Sequence, residues 1–287
     1  MKEFKYIKGL LLFAALLTMN SCKKNNDVDV NDVYFSVLST GYTVTFTNAT
    51  KDAKSYRWDF GDKTSSTDAN PVHVYQTKGK FVATLYVTQN SGTTISGSTI
   101  VNVSKSSPIK LDDSSLADWD TISTVVVSTA KGGIVKKAKF DYDSQNVYIY
   151  MEIATTVNAG NIFDFYLDTD NSATTGLLTG DIPGGGYDYL LEGPLLSTAN
   201  GLVQYLHTGG QADFAFSPQS IPEYYKLGTV VEANGIVKFE MALVRSKIGG
   251  LTGKGLSFGI IVSDSGYNPL GQMPDAGSNA IKLNISQ

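Results

Sequence analysis

Short segments rich in Val, Thr, Tyr and Phe recur along the chain from about residue 33, and each is bounded by turn-forming residues. Examples are YTVTFTNA, FVATLYVT, NVYIYMEIA, IVKFEMALV and LSFGIIVSD. Residues with β-branched and aromatic side chains favour strands, and no long stretch shows the 3.6-residue apolar period of a helix. The sequence therefore predicts an all-β fold built from many short strands.

Residues 1–21 have the pattern of a secretory signal. Three lysines within the first eight residues precede an apolar run over 9–19, which is too short to span a bilayer as a mature helix. Cys22, the single cysteine of the chain, follows where the apolar run ends. This arrangement resembles the lipobox of bacterial lipoproteins. The resemblance implies lipidation of Cys22 and an exported protein anchored to the outer membrane, at the cell surface or on the periplasmic face. The alternative is ordinary cleavage that leaves a free thiol.

The predicted mature chain is acidic. The full sequence carries a formal charge of −4, and loss of a signal with three Lys and one Glu would make it −6. Such a charge disfavours binding to nucleic acid and broad contact with anionic lipid. The polar residues 22–32 lack an apolar period and predict a lipidated flexible tether. Contact with the membrane is therefore expected through the lipid anchor alone.

A set of motifs runs through nearly the whole of a first predicted domain, residues 33–105. In chain order its members are Trp58-Asp59-Phe60-Gly61-Asp62, Asn70-Pro71, His73, Tyr75 and Gly79. Their order and spacing resemble those of the polycystic kidney disease (PKD) repeat. The resemblance implies an immunoglobulin-like β-sandwich that serves as a spacer.

Two side chains of this domain are expected to fill its core. Trp58 and Phe60 lie two residues apart, so they point to one face of a strand. His73 and Asp59 could suggest a catalytic or metal site. A single histidine without clustered partners is a poor site, and a scaffold role is the favoured interpretation.

Residues 106–287 are predicted to form a second, larger domain, which begins within the Ser- and Pro-containing segment SKSSPIK at 104–110. Its motifs, in order, are LADWD, DSQNVYIYMEI, IFDFYLDTD, YDYLLEG and FEMALV. Their order resembles that of family 9 carbohydrate-binding modules and the wider group of DOMON-like jelly rolls. The resemblance implies a larger antiparallel jelly-roll β-sandwich with a polysaccharide or oligosaccharide as partner.

The stretch NIFDFYLDTDNSATTG at 161–176 begins as an alternating strand and ends in acids, Asn and Thr. If its aromatic residues at alternate positions face a core, then Asp164, Tyr166 and Asp168 share the opposite face. Two acids on one face are costly unless that face is wet, hydrogen-bonded or binds a cation.

Two interpretations of these acids remain open. Oxygen ligands from Asp168 and Asp170, with Asp188 as a third, would suit a structural Ca²⁺. Alternatively, the segment is a solvated Asp–Asn turn that caps its own backbone. The run does not match an EF-hand, because Ala173 stands where that loop requires Gly.

Sugar binding usually requires an aromatic platform. Trp119 is the only tryptophan of the second domain, and we expect it to close the core. The candidate ligand-binding residues are therefore tyrosines. They are Tyr166, Tyr187, Tyr189 and Tyr205, with Tyr224, Tyr225 and Tyr267 as further tyrosines in loops.

No nucleophile elbow, phosphate loop or His–Cys cluster is evident in the sequence, so a non-enzymatic protein without catalytic residues is predicted. The favoured function is a lipid-anchored surface protein that binds glycan. The alternative is a structural or adhesive protein that binds another protein and has no sugar site. A third possibility follows from the DOMON resemblance: haem held by His207 with Met151, Met241 or Met273.

Overall fold

The computed structural model describes residues 32–51, 53–197, 200–251, 253 and 255–286. The predicted signal, Cys22 and all of the tether except Asp32 lie outside the described residues. Within them the regular structure consists of antiparallel strands and four short 3₁₀ helices. The predicted all-β fold is therefore confirmed. Among the described residues, no helix is long and apolar enough to cross a membrane.

The first seven strands form a two-sheet sandwich. They are β1 (Phe35–Thr40), β2 (Thr43–Asn48), β3 (Ala53–Asp59), β4 (Ser65–Ser66), β5 (Val72–Val74), β6 (Gly79–Gln89) and β7 (Thr94–Val103). One sheet has the order β1-β2-β5 and the other β4-β3-β6-β7. Trp58 is completely buried between them, and its ring lies 5.1 Å from Phe35 and 4.9 Å from Phe46. Phe60 is also buried, so both predicted core positions are correct.

His73 belongs to the scaffold of this sandwich. Its ring stacks on Phe60 at 4.1 Å, and its Nε2 atom lies 2.7 Å from Oδ2 of Asp62. Asp59, in contrast, accepts a hydrogen bond from the Gly61 amide in its own turn. The histidine thus packs on the core and pairs with a turn acid, which fits the favoured interpretation.

The remaining strands form a second and larger antiparallel sandwich. They are β8 (Val125–Val127), β9 (Val135–Tyr142), β10 (Asn146–Ile153), β11 (Ile162–Asp168), β12 (Tyr189–Gly193), β13 (Val203–His207), β14 (Phe216–Gln219), β15 (Tyr225–Ala233), β16 (Ile236–Val244), β17 (Gly255–Ser263), β18 (Pro269–Met273) and β19 (Ile281–Asn284). The five-stranded sheet has the order β15-β16-β10-β9-β8. The seven-stranded sheet has the order β14-β13-β12-β11-β17-β18, with β19 paired to β17.

The main core lies between these two sheets. Phe163 and Phe165 of β11 are completely buried, and their rings contact Phe239 of β16 and Phe258 of β17. Leu167 is buried in the same cluster. The alternation predicted for β11 is therefore correct. Its other residues point to the outer face of the seven-stranded sheet.

Each outer face is partly covered by a segment of irregular chain. On the five-stranded sheet, the 3₁₀ helix Ala117–Thr121 places Trp119 against Tyr150 at 5.6 Å. The Trp119 indole N–H donates to Oε2 of Glu240 at 2.8 Å, and both residues are buried. Trp119 thus closes a small outer core, as expected, and is not available to stack on a ligand.

Candidate metal centre and ligand-binding face

Three carboxylates converge where β11 ends and β12 begins. Asp168 is the last residue of β11, Asp170 follows in the next turn, and Asp188 immediately precedes β12. Because β11 and β12 pair antiparallel, the end of one strand meets the start of the other. One oxygen from each of the three acids lies within 4.8 Å of the others. The structure thus brings together all three predicted metal ligands.

Asp168 is the most buried member of this cluster, with 2% of its surface exposed. Its Oδ2 atom accepts a hydrogen bond from the Gly186 amide at 3.3 Å, whereas its buried Oδ1 atom has no hydrogen-bond partner. Burial raises the pKa of Asp168, and burial together with the charge of Asp170 raises the pKa of Asp188. A buried carboxylate oxygen without a donor is costly, and a bound cation would remove that cost.

Asp170 also shapes the turn that follows β11. Its Oδ1 accepts from the Ser172 amide at 2.9 Å, and its Oδ2 accepts from the Thr175 hydroxyl at 2.9 Å. Asn171 adopts a left-handed backbone with φ of 54°. The self-capping turn and the carboxylate cluster are therefore both present, and the two interpretations of the sequence do not exclude one another.

The chain between β11 and β12, residues 169–188, folds back over the outer face of the seven-stranded sheet. Ile182 of this covering loop is completely buried against the sheet, and a Cβ atom on Gly259 would lie 2.6 Å from its Cδ1. Tyr187 is also completely buried, and its hydroxyl donates to the Ile182 carbonyl at 2.7 Å. Tyr166 lies beneath the same loop, with its ring 5.4 Å from that of Tyr187. The expectation that Tyr166 and Tyr187 stack on a ligand is therefore wrong.

The two remaining candidate tyrosines point in opposite directions. Tyr189 lies two residues before Leu191 on β12, so both side chains point to the same face and pack on the main core. Tyr189 therefore does not reach the outer face. Its expected role in ligand binding stays a prediction, away from the outer face. Tyr205 of β13 is half-buried on the outer face, at the margin of the cluster under the covering loop. Of the four predicted residues, Tyr205 alone is partly exposed on the outer face of the seven-stranded sheet.

The uncovered part of this face contains two acids that pair across neighbouring strands. Asp164 of β11 lies directly opposite Glu192 of β12. Oδ1 of Asp164 is buried and has no hydrogen-bond partner. Burial, and then the charge of Glu192, raise the pKa of Asp164 to about 7. The alternation of β11 identifies the face on which Asp164 lies, but only the strand register reveals its partner.

Tyr267 completes this surface from the hairpin between β17 and β18. It is 59% exposed, and its hydroxyl donates to Oε1 of Glu192 at 3.4 Å. The sequence marks Tyr267 only as a loop tyrosine and gives no sign that it reaches across two strands. We refer to Asp164, Glu192, Tyr205 and Tyr267 together as the open-face site.

The haem alternative requires His207 and a methionine to lie close together. Met151, Met241 and Met273 are completely buried in the main core. His207 lies on the outer side of β13, where its Nε2 donates to the Asp213 carbonyl at 2.9 Å. The structure does not bring His207 together with any of these methionines.

Two curated bacterial collagenases are similar to part of this chain. Collagenase ColQ1 of Bacillus cereus is 31% identical over 105 residues, which is 35% of this chain and 10% of that protein. Collagenase ColA of Bacillus cereus is 27% identical over 169 residues, or 56% of this chain and 17% of that protein. The chain therefore spans only a small part of the length of these curated relatives.

Two solved structures match the chain over spans of different length. The PKD1 domain of the Vibrio cholerae metalloprotease PrtV is 31% identical, covers 25% of this chain and 93% of its own, and has a TM-score of 0.24. A structure from work on carbohydrate-binding modules of the β-sandwich superfamily is 15% identical, covers 88% of this chain and 98% of its own, and has a TM-score of 0.25. Residues 32–104 match the family model of the PKD domain. This segment, with its sandwich fold and its buried Trp58, is a PKD domain.

Proposed function

We propose that this chain is a non-enzymatic surface protein in which the PKD domain is a spacer and the second sandwich binds a glycan. The observation that carries the proposal is the open-face site. There, exposed Tyr267 and half-buried Tyr205 lie beside the carboxylates of Asp164 and Glu192. Aromatic rings stack on the apolar faces of sugars, and carboxylates accept hydrogen bonds from sugar hydroxyls.

A binding experiment on a glycan array tests this proposal. The whole mature chain and a Tyr267→Ala variant are applied to the same array. We expect saturable binding by the wild type and binding weakened by about tenfold or more in the variant, because a stacked aromatic ring contributes about 1–3 kcal/mol. Tyr42→Ala is the control, since this exposed tyrosine lies in the PKD domain. The proposal would be refuted if the wild type bound no glycan on the array saturably.

Within this function, Ca²⁺ at Asp168, Asp170 and Asp188 serves as a structural ion. Three carboxylates offer the hard oxygen ligands that Ca²⁺ prefers, and a bound cation would offset the burial that raises the pKa of Asp168 and Asp188. The ion would join both ends of the covering loop to the sheet, because Asp168 and Asp188 flank that loop. Its role is to hold the ligand-binding face in shape.

Thermal unfolding with a chelator and with added Ca²⁺ tests this site. Binding to the folded state alone stabilises it by about 2.7 kcal/mol when free Ca²⁺ exceeds Kd by about a hundredfold. Asp168→Asn is expected to abolish the response and to leave the chelated protein at least as stable as wild type, because repulsion among the acids is relieved. Asp181→Asn, an exposed residue of the same loop outside the cluster, should respond normally. If neither the chelator nor added Ca²⁺ changed the midpoint of thermal unfolding of the wild type, the Ca²⁺ site would be refuted. The segment would then be a self-capping turn only.

The lipid anchor proposed at Cys22 explains how such a module is held at the cell envelope. Several buried acyl chains, at about 0.8 kcal/mol per CH₂ group, bind a membrane firmly. Intact-mass analysis of the membrane fraction should show acylation of the wild-type protein, and Cys22→Ser should leave an unacylated precursor. An unmodified cysteine in the wild-type membrane fraction would contradict the anchor.

A second candidate function, adhesion to another protein, is favoured by one observation on the PKD domain. Val82 and Ile100 lie opposite each other on β6 and β7 and are 57% and 63% exposed. Exposed apolar pairs of this kind can nucleate a protein contact. Loss of cell adhesion in a Val82→Ser, Ile100→Ser double variant, with glycan binding unchanged, would support this candidate.

A further inference from the structure

The segment that joins the two sandwiches is short and polar. It runs over residues 104–110, between the end of β7 and the 3₁₀ helix Ala117–Thr121, and it contains three serines, two lysines and one proline. Two domains joined by such a segment normally move relative to each other, unless the interface between them is large and apolar. The contacts made by this segment therefore decide whether the two sandwiches move independently.

Lys105 attaches the segment to the second sandwich by three contacts at the end of β9. Its ammonium forms an ion pair with Oδ1 of Asp141, donates a hydrogen bond to the carbonyl of Tyr142 at 2.8 Å, and lies 4.6 Å from the centre of the Tyr142 ring. The Asp141 side chain is only 10% exposed, so solvent screens this pair less than it screens a surface pair. An ammonium that a carboxylate, a carbonyl and an aromatic ring bind together is held in one position.

The second carboxylate oxygen of Asp141 is bound by the same segment. The Ser107 hydroxyl donates a hydrogen bond to Oδ2 of Asp141 at 2.6 Å. Ser107 Oγ also accepts from the amide of Ile109 at 3.2 Å, and Ile109 is buried in the small outer core with Trp119. Pro108 fixes its own φ and restricts the backbone of Ser107. Alternate residues of the segment thus face the second sandwich, as in an extended strand.

The PKD domain also contacts the joining segment. Gly41, in the turn between β1 and β2, has φ of 63°, and a Cβ atom there would lie 2.6 Å from Oγ of Ser106. Only glycine allows so close an approach with this backbone conformation. Burial, and then the neighbouring Tyr42, raise the pKa of Tyr142, so the same turn lies near the end of β9. The segment therefore touches both sandwiches.

Beside the segment, the two sandwiches face each other across a polar cleft. Its volume is about 590 Å³, and its lining includes Ser39 and Asn102 of the PKD domain and Asp143 and Gln145 of the β9–β10 turn. A polar cleft contributes little apolar burial to hold two domains together. The angle between the sandwiches consequently depends on the contacts of the segment, among which those of Lys105 are the most numerous.

We propose that Lys105 and Asp141 lock the joining segment, so that the PKD domain and the second sandwich behave as one rigid body. The PKD domain is then a stiff spacer, which holds the second sandwich at a fixed angle to the start of β1. This lock goes beyond glycan binding, because it operates whether or not a ligand is present.

Distances between spin labels on the two sandwiches test the lock. The mature chain is used with Cys22→Ser, which removes the native thiol. Labels are attached at Asn90→Cys in the β6–β7 turn and at Ala233→Cys at the end of β15, both of which are exposed positions. Double electron–electron resonance then measures the distribution of distances between the labels. We expect one narrow distribution while Lys105 and Asp141 are intact, because a rigid body keeps the two labels at one separation.

Matched variants connect the rigidity to the ion pair. Lys105→Met and Asp141→Asn should each broaden the distance distribution. Hydrogen exchange of the Ile109 amide should also become faster by about tenfold or more, the size of a lost charge-assisted hydrogen bond. Lys110→Met removes an exposed lysine of the same segment, and it should keep both the narrow distribution and the slow exchange. Thermal melts check that every variant folds.

Two results would overturn the proposal. A broad distribution while Lys105 and Asp141 are intact would show that the two sandwiches move independently. A narrow distribution that Lys105→Met and Asp141→Asn leave unchanged would show that this ion pair does not cause the rigidity. Either result leaves the proposed glycan binding intact, because the lock does not involve the open-face site.

Discussion

Asp164 makes the stability of the second sandwich depend on pH in a direction that is easily tested. Burial raises its pKa from 3.8 to about 7, and the charge of Glu192 adds to the effect. At pH values between 3.8 and about 7, the folded chain keeps a proton on Asp164 that the unfolded chain has lost. Stability contributed by this residue is therefore highest at acidic pH and falls as pH rises towards 7. Above that pH the ionised carboxylate destabilises the fold by a constant amount.

The magnitude follows from the same shift. At about 1.4 kcal/mol per pH unit, the shift sets an upper limit of about 4 kcal/mol. Asp164 is only partly buried, and water screens part of the charge, so we expect about 2 kcal/mol. The variant Asp164→Asn removes the charge while keeping the size of the side chain. It should match the wild type below about pH 4 and be more stable by about 2 kcal/mol above about pH 8.

Urea unfolding at a series of pH values measures this difference. Ca²⁺ is kept in excess, and the raised pKa values of Asp168 and Asp188 cancel because both proteins contain them. Asp213→Asn, an exposed acid for comparison, should follow the wild-type curve. The prediction would be contradicted if the plots of unfolding free energy against pH stayed parallel for the wild type and Asp164→Asn. Asp164 would then ionise in the folded protein without cost, with its carboxylate hydrated.

Two further predictions concern the scaffold. Trp58→Ala should destabilise the PKD domain by about 3–5 kcal/mol in denaturant titration, as expected for a large buried aromatic, whereas exposed Val82→Ala should change stability by less than about 0.5 kcal/mol. Arg245, buried in the second sandwich, donates to four backbone carbonyls, those of Leu251, Asp143, Gly253 and Ile285. Arg245→Met should lower the free energy of unfolding by about 3 kcal/mol, because these acceptors lose their donor. Lys247→Met, which removes a more exposed cation, should lower it by less than about 1 kcal/mol. Equal losses in the two variants would contradict this role of Arg245.

The strand pattern predicts which side of β11 faces the core because alternation is a local property. Phe163 and Phe165 lie inside, and Asp164 and Asp168 point outward, as the two-residue period requires. The convergence of Asp168 with Asp188 was also predictable, since a strand end and the next strand start are neighbours in an antiparallel pair.

The ligand-binding residues were harder to predict because they depend on long-range placement. Residues 169–188 show no regular period, so nothing in the sequence indicates that this loop folds back and buries Tyr166 and Tyr187. Likewise, Asp164 and Glu192 meet only through the register of their strands. Tyr267 reaches Glu192 from a hairpin 75 residues further along the chain.

The covering loop links the proposed metal centre to the open-face site. Asp168 and Asp188 stand at the two ends of the loop, and Ile182 in its middle packs over Tyr166, whose own ring adjoins Asp164 on the same strand. An ion that fixes both ends of the loop would therefore also fix Tyr166, the neighbour of Asp164 in the open-face site. If Ca²⁺ strengthens ligand binding in this way, the ligand must strengthen Ca²⁺ binding by the same factor, because the coupling free energy is reciprocal.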